Sequence, residues 1–295
     1  MATLSDLTKY KNLPQLHREN MIPLLVAFAQ APFVIEDVLT VIPSTDDFVY
    51  EQETYTTKFN RPLKRQEKAE AQVNAFQVEK KTGSAWEYFE QYPITSKTLR
   101  KNNVYEFINV MVKGMDIIAN KIRLGCELDG LEAMLNASGI NTVTAATTWG
   151  SASVCDPYLD VVKAKNKIEL DELVEANAVI LGTENYNELK TADSIRDTQA
   201  YTNDYTEKGI RIKEIDGSRI YVASARYNND GTLTPVLTDK AIITVAGFAG
   251  ELKEASPYDA WTVFDAEHQI IKLFGNRVIA PSITKPKAIT ELRDI

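Results

Sequence analysis

The feature that most constrains this chain is a periodic apolar run between residues 99 and 135. Val104, Ile108, Met111, Met115, Ile118 and Ile122 recur every three or four residues, which puts them on one face of a helix. Leu124, Leu128, Leu131 and Leu135 continue the pattern in a shifted phase, and the shift falls at Leu124-Gly125-Cys126. Asn136-Ala-Ser-Gly139 supplies a C-terminal stop. The spacing predicts one long helix with a bend near Gly125. Everything else must pack against that rod or be held by something outside the chain.

Ahead of it, residues 1–47 read as an arm. Pro14, Pro23, Pro32 and Pro43 interrupt short apolar clusters, leaving room for a helical turn or two around Leu24–Gln30. Residues 48–95 read as a long two-stranded excursion. Phe48-Val-Tyr-Glu-Gln-Glu-Thr-Tyr and Ala71-Gln-Val-Asn-Ala-Phe-Gln-Val-Glu are its strands, and a charged tip lies between them. A lone two-stranded ribbon is marginal in water, so another subunit or another part of the fold must support it.

Beyond the helix the signals are mixed. Asp156-Pro157 looks like a helix start, with Leu159, Val162 and Ile168 as the apolar face. Ala178-Val-Ile-Leu181 is a buried-strand candidate, and Thr183 is a candidate cap for a helix over 184–190. Residues 208–283 are mostly β. Ile210-Arg-Ile-Lys-Glu-Ile alternates, Asn228-Asn-Asp-Gly231 signals a hairpin, and Gly275-Asn276 is flanked by two further strands. The class is α+β.

The search for chemistry returns little. There is no phosphate-binding glycine loop and no G-x-S-x-G elbow. The chain has only 2 His, which speaks against general acid–base and zinc work. His17 and His268 have no cysteine ligands at metal spacing. Cys126 reads as a core residue, and Cys155 is the better nucleophile candidate without a local activator. Glu127 and Asp129 are two apart on a helix and diverge. Lys plus Arg is 33 against 41 for Asp plus Glu, a net charge of −8, which argues against a protein that coats nucleic acid. Arg61, Lys64, Arg65 and Lys68, with Lys58, form a basic cluster interleaved with Glu67 and Glu70. They read as subunit-contact candidates rather than a nucleic-acid site. No membrane span, signal peptide, metal, cofactor or catalytic constellation is expected.

One ordered stretch carries a family resemblance. It runs Thr147-Thr-Trp149-Gly150, then Asp156-Pro157-Tyr-Leu-Asp160-Val, then Asn177-Ala-Val-Ile-Leu-Gly182 and Tyr186-Asn-Glu-Leu189. It resembles the major capsid proteins of tailed viruses of bacteria and archaea, those with the Hong Kong 97 fold. The motifs cover 147–189, and the order of elements covers nearly the whole chain. The resemblance implies an N-terminal arm over 1–47 and an extended loop over 48–95. A peripheral domain with the spine helix and the start of an axial domain would cover 96–190. The axial domain would cover 191–263, and return strands of the peripheral domain with a C-terminal tail would cover 264–295. It also implies a homo-oligomer of hexamers and pentamers in an icosahedral shell. That shell would be assembled in the host cytoplasm and enclose double-stranded DNA without specific binding. Scaffolding, portal and decoration proteins would be separate partners. An encapsulin-type nanocompartment shell is the alternative. Some relatives crosslink a loop Lys to an Asn of a neighbour. Lys64 or Lys68 with Asn276 would be the counterparts here, although noncovalent contacts are the expectation.

Overall fold

The structure is a computed structural model that describes residues 18–29, 34–44, 49–56, 77–95, 104–151, 153–195, 212–223, 226–229, 232–265, 267–268 and 270–295. Two arm helices come first, α1 (Arg18–Ala29) and α2 (Val34–Val38), followed by strand β1 (Thr40–Pro43). A ribbon of β2 (Val49–Thr56) and β3 (Gln77–Ser84) follows, paired antiparallel, and beyond Ala85 the chain resumes as β4 (Trp86–Thr95). Next come α3 (Val104–Asn136), β5 (Asn141–Thr144), α4 (Pro157–Glu172), β6 (Ala178–Gly182) and α5 (Thr183–Thr191). The remainder is β7 (Glu214–Ile215), β8 (Ser218–Ala223), β9 (Arg226–Asn229), β10 (Thr232–Pro235), β11 (Lys240–Thr244), β12 (Gly250–Asp265), β13 (Ile270–Ile283) and β14 (Ile289–Arg293).

These strands form a four-stranded sheet, β1-β12-β13-β4, and a six-stranded sheet, β5-β14-β11-β6-β8-β7, besides the two ribbons β2-β3 and β9-β10. The class is α+β, as the sequence implied. α3 lies along one face of the four-stranded sheet and buries Met111, Met115, Ile118, Ala119, Ile122, Cys126, Leu131 and Met134. The helix runs unbroken through Gly125. The glycines there serve packing. A Cβ on Gly125 would sit 2.7 Å from the ring of Tyr88, and one on Gly114 would sit 2.7 Å from the ring of Tyr92. Two β4 tyrosines thus seat against bare helix backbone. Glycine costs a helix about 0.5–1 kcal/mol relative to alanine, which this close packing offsets. Leu124, expected on the buried face, is exposed, and Cys126 takes the core position beside it.

The arm folds back onto its own subunit. Met21, Leu25, Ile35, Val38 and Leu39 are buried, and β1 pairs in parallel with β12 from Thr40–Glu251 to Pro43–Glu254. Gly275-Asn276 is not a turn. β13 passes straight through it, with Gly275 opposite Ala260 on one side and Glu90 on the other. A Cβ on Gly275 would lie 2.6 Å from Ile118 and 3.2 Å from Leu25, so the bare backbone admits both helices. The β12–β13 hairpin turns instead between Asp265 and Ile270. The other expected hairpin does form, with Asn229 opposite Thr232. Of the alternating run at 210–215, only Glu214–Ile215 is strand, and residues 210 and 211 lie outside the described part.

The six-stranded sheet is built around β6, buried at every position. β14, from the end of the chain, sits inside this sheet between β5 and β11. α4 packs on the sheet with a buried stripe that differs from expectation. Leu159 is exposed, and the inward positions are Pro157, Asp160, Val161, Ala164, Lys165, Ile168 and Glu172.

Candidate assembly surfaces

The motif stretch forms a structural knot. Trp149 is fully buried, and its indole Nε1 donates to Asp160 Oδ2 at 3.4 Å. Asp156 caps α4 by accepting from the Leu159 N–H at 3.2 Å, and Pro157 occupies the first turn, where its missing N–H costs nothing. Asn177 Oδ1 accepts from the Ala246 N–H at 2.7 Å. Gly182 has no room for a side chain, since a Cβ would stand 2.3 Å from the Leu237 carbonyl oxygen. Gly182 is also the N-cap of α5, one residue earlier than Thr183. Tyr186 donates to the Ile212 carbonyl at 3.1 Å, Asn185 to the Lys240 carbonyl at 3.2 Å, and Leu189 is buried. These motif residues hold neighbouring parts of the fold together.

The chemical candidates are placed accordingly. Cys155 is buried, its thiol donates to the Trp149 carbonyl at 3.4 Å, and burial pushes its pKa up. Cys126 is buried too, with a thiol pushed up to about 12 by burial. Neither is poised as a thiolate nucleophile. Glu127 is buried with its carboxyl pushed up by burial, against the pull of Arg123, while Asp129 accepts from the Tyr88 hydroxyl. The two carboxylates therefore do not share a site. His268 lies beside Asp265, at 3.0 Å, and is exposed. His17 falls outside the described residues. Among the described residues no three His, Cys, Asp or Glu side chains are grouped as a metal site.

Sequence reasoning missed the buried polar junction between arm and sheet. Arg277 of β13 is only 4% exposed on its side chain. Its Nε donates to Glu254 of β12 at 2.9 Å, and its Nη1 donates to Glu36 of α2. The ring of Tyr258 covers the guanidinium at 4.7 Å. A second link joins α1 to β12, where Arg18 Nε donates to Asp259 at 2.8 Å. Both links end on a stretch of β12 with register shifts between Glu254 and Ser256 and between Ser256 and Asp259. Bulges re-aim side chains in this way. No spacing rule marks Arg277 in the sequence, because its partners come from positions far apart in the chain.

The face of the four-stranded sheet away from α3 is open. Phe89, Trp261 and Phe274 form a three-ring stack there, with centroids 5.5–5.8 Å apart. Phe89 is 47% exposed, and Val263 beside the stack is 44% exposed. Exposed aromatic rings grouped in this way are a candidate contact surface. Arg61, Lys64, Arg65 and Lys68 lie outside the described residues, in the segment between β2 and β3. Asn276 lies within β13 rather than near a turn, and its side-chain amide donates to Glu87 at 2.8 Å.

No family model matches the sequence, and no curated protein matches it. Solved structures do match in fold. A phage-related protein from Bordetella bronchiseptica aligns with a TM-score of 0.67 at 16% identity, over 92% of this chain and 96% of its own. The virus-like particle of Pyrococcus furiosus aligns with a TM-score of 0.61 at 12% identity, over 93% and 98%. The capsid of cyanophage P-SCSP1u aligns with a TM-score of 0.60 at 12% identity, over 89% and 88%. At these identities the likeness is one of fold. The chain has the Hong Kong 97 fold. Among the described residues no helix is long and apolar enough to cross a membrane.

Proposed function

We propose that this chain is the major capsid protein of a tailed virus. It would self-assemble through hexamers and pentamers into an icosahedral shell that encloses double-stranded DNA. The observation that carries this is the shared fold, which spans about nine tenths of the chain and 88–98% of the structures it matches, a virus-like particle and a phage capsid among them. The surfaces support the same reading. A ribbon that cannot stand alone and a sheet face that remains apolar are economical only in a subunit that neighbours complete. The net charge of −8 suits a wall that encloses a polyanion without gripping it. The work of such a protein is assembly and not catalysis. Arg61, Lys64, Arg65 and Lys68, between β2 and β3 in the chain, would contact neighbouring subunits. Scaffolding, portal and decoration functions would come from separate proteins, with assembly in the host cytoplasm.

The test is electron microscopy of the purified protein, and of particles from producing cells, with nucleic acid extracted from any shells. Closed shells or capsomers are expected. A protein that stays monomeric even with its viral neighbours would exclude the assignment. The likeness to the Pyrococcus particle favours one second reading, a nanocompartment shell. Shells that hold a protein cargo and no DNA would select it.

A further inference from the structure

A strand at the edge of a soluble sheet normally defends itself with charge, bulges or brevity, because its unpaired N–H and C=O groups invite another strand. β4 is such an edge. β13 pairs with it along its whole length, from Thr95–Ile270 to Trp86–Ile279, and no described strand lies on its other side. At ten residues it exceeds the usual strand length of about five or six. It carries two acidic residues, and each already has a partner within the subunit. Glu87 accepts from Asn276 on β13 at 2.8 Å, and Glu90 is paired with Lys121 of α3 at 3.0 Å. The edge therefore exposes Trp86, 64% accessible, and Phe89, and the one exposed charge between them, Glu87, is held by Asn276.

We propose that residues 86–92 of β4 form a strand-addition site whose occupant is β4 of a second copy, paired antiparallel about a two-fold axis at Phe89. The choice of a second copy as occupant rests on the shell-subunit assignment above. The register follows from the strand itself. Ala85 breaks the strand at one end, and Pro93, which has no N–H to give, closes the other. The window between them is centred on residue 89. Antiparallel pairing then sets Trp86 opposite Tyr92, Glu87 opposite Gln91, Tyr88 opposite Glu90, and Phe89 opposite its own copy. No like charges meet. A slip toward Pro93 would place Glu90 opposite Glu90, which is destabilising. A slip the other way would shorten the paired window. One-residue slips would set bonded positions against non-bonded ones. In the proposed register the three-ring stacks of the two copies adjoin through Phe89, and two four-stranded sheets become one.

The test uses full-length Phe89→Cys and Gln91→Cys, oxidised with copper phenanthroline and run on non-reducing gels beside the unmodified chain. Residues paired across a ladder have Cα atoms about 4.5–5.5 Å apart, within disulfide range. A cysteine at 91 would face residue 87, about 13 Å along the strand from its own copy. Phe89→Cys should therefore form covalent dimers at least tenfold faster than Gln91→Cys. Phe89→Lys, which opposes two ammonium groups, should raise the dimer dissociation constant at least tenfold in sedimentation while leaving the unfolding midpoint unchanged. Equal crosslinking at 89 and 91 would overturn the pairing. Shells that form from the Phe89→Cys variant with no disulfide at that position would overturn it and leave the shell assignment standing. Covalent Phe89→Cys dimers from a protein that never builds a shell would support the pairing and remove the shell assignment. A strict monomer at all concentrations would remove both.

Discussion

The two sheets of this subunit solve the same problem to different degrees. In the six-stranded sheet the buried polar groups find partners within the chain. Thr244 donates to the Ala288 carbonyl at 3.0 Å, Thr290 to the Ala164 carbonyl at 3.2 Å, and Ser218 to the Ala176 carbonyl at 3.0 Å. Lys165, nearly inaccessible, pairs with Asp216 at 2.9 Å. Buried groups satisfied in this way fix one arrangement. The four-stranded sheet is finished on one face by α3 and the arm, and on the other it presents aromatic rings to solvent. One region is completed by its own sequence, and the other leaves a face that the proposed assembly would cover. Stability should therefore be concentrated in the first and association in the second.

The largest effect should come from Trp149→Ala. It empties a fully buried site and takes one partner from Asp160, which keeps only Lys163 at 3.5 Å among the described residues, so subunit stability should fall by about 3–5 kcal/mol in denaturant unfolding. A loss below about 1 kcal/mol would break the contrast between the regions. Next is Arg277→Met, which leaves Glu36 and Glu254 facing each other. The expected loss is about 3 kcal/mol, at the lower end for a buried pair because both carboxylates are partly exposed. Hydrogen exchange over residues 34–43 should rise with it, and an arm that stays protected would show that the apolar contacts alone hold it. Trp261→Ala should cost the subunit about 1 kcal/mol or less, because its ring lies on the open face, yet reduce particle yield by microscopy. Normal assembly with a destabilised subunit would invert the comparison.

The smallest effect concerns acid. Asp265 is held at about 2, below its ordinary 3.8, chiefly by the His268 backbone N–H and then by Lys272. A depressed carboxylate stabilises above its unfolded pKa and stops doing so as pH falls through its folded one. The β12–β13 tip should thus stay closed down to pH 4 and loosen between about 4 and 2. Amide exchange at His268 reports this, and loosening already at pH 6 would contradict the assignment to Asp265.

The parts of the fold that were legible in the sequence are those where local pattern and tertiary role agree. α3 announced itself by period, and α4 by Asp156-Pro157. The ordered motif from Trp149 to Leu189 pointed to the fold, and the structure shows why its members occur together: they bond one another or the strands beside them. The misreadings share one cause. Gly275-Asn276 has the composition of a turn, but the glycine is needed because two helices press on that strand. Leu159 looked like core, but Asp160 and Lys165 took the inward positions once Trp149 and Asp216 could satisfy them. The open aromatic stack was invisible, since Phe89, Trp261 and Phe274 come together only after three strands are paired.

The position of β14 also sets a clock. Among the described strands β5 pairs only with β14, and Asn141 meets Lys287, a partner 146 residues further along the chain. At about 5–20 residues per second, a ribosome needs roughly 7–30 s to make that stretch. Throughout that interval β5 lacks its β14 partner, and β11, once made, keeps an open side until β14 arrives. The half-made subunit is then at its most adhesive. The arrival of β14 closes both edges in one step, so the sheet is completed only when synthesis has passed residue 293.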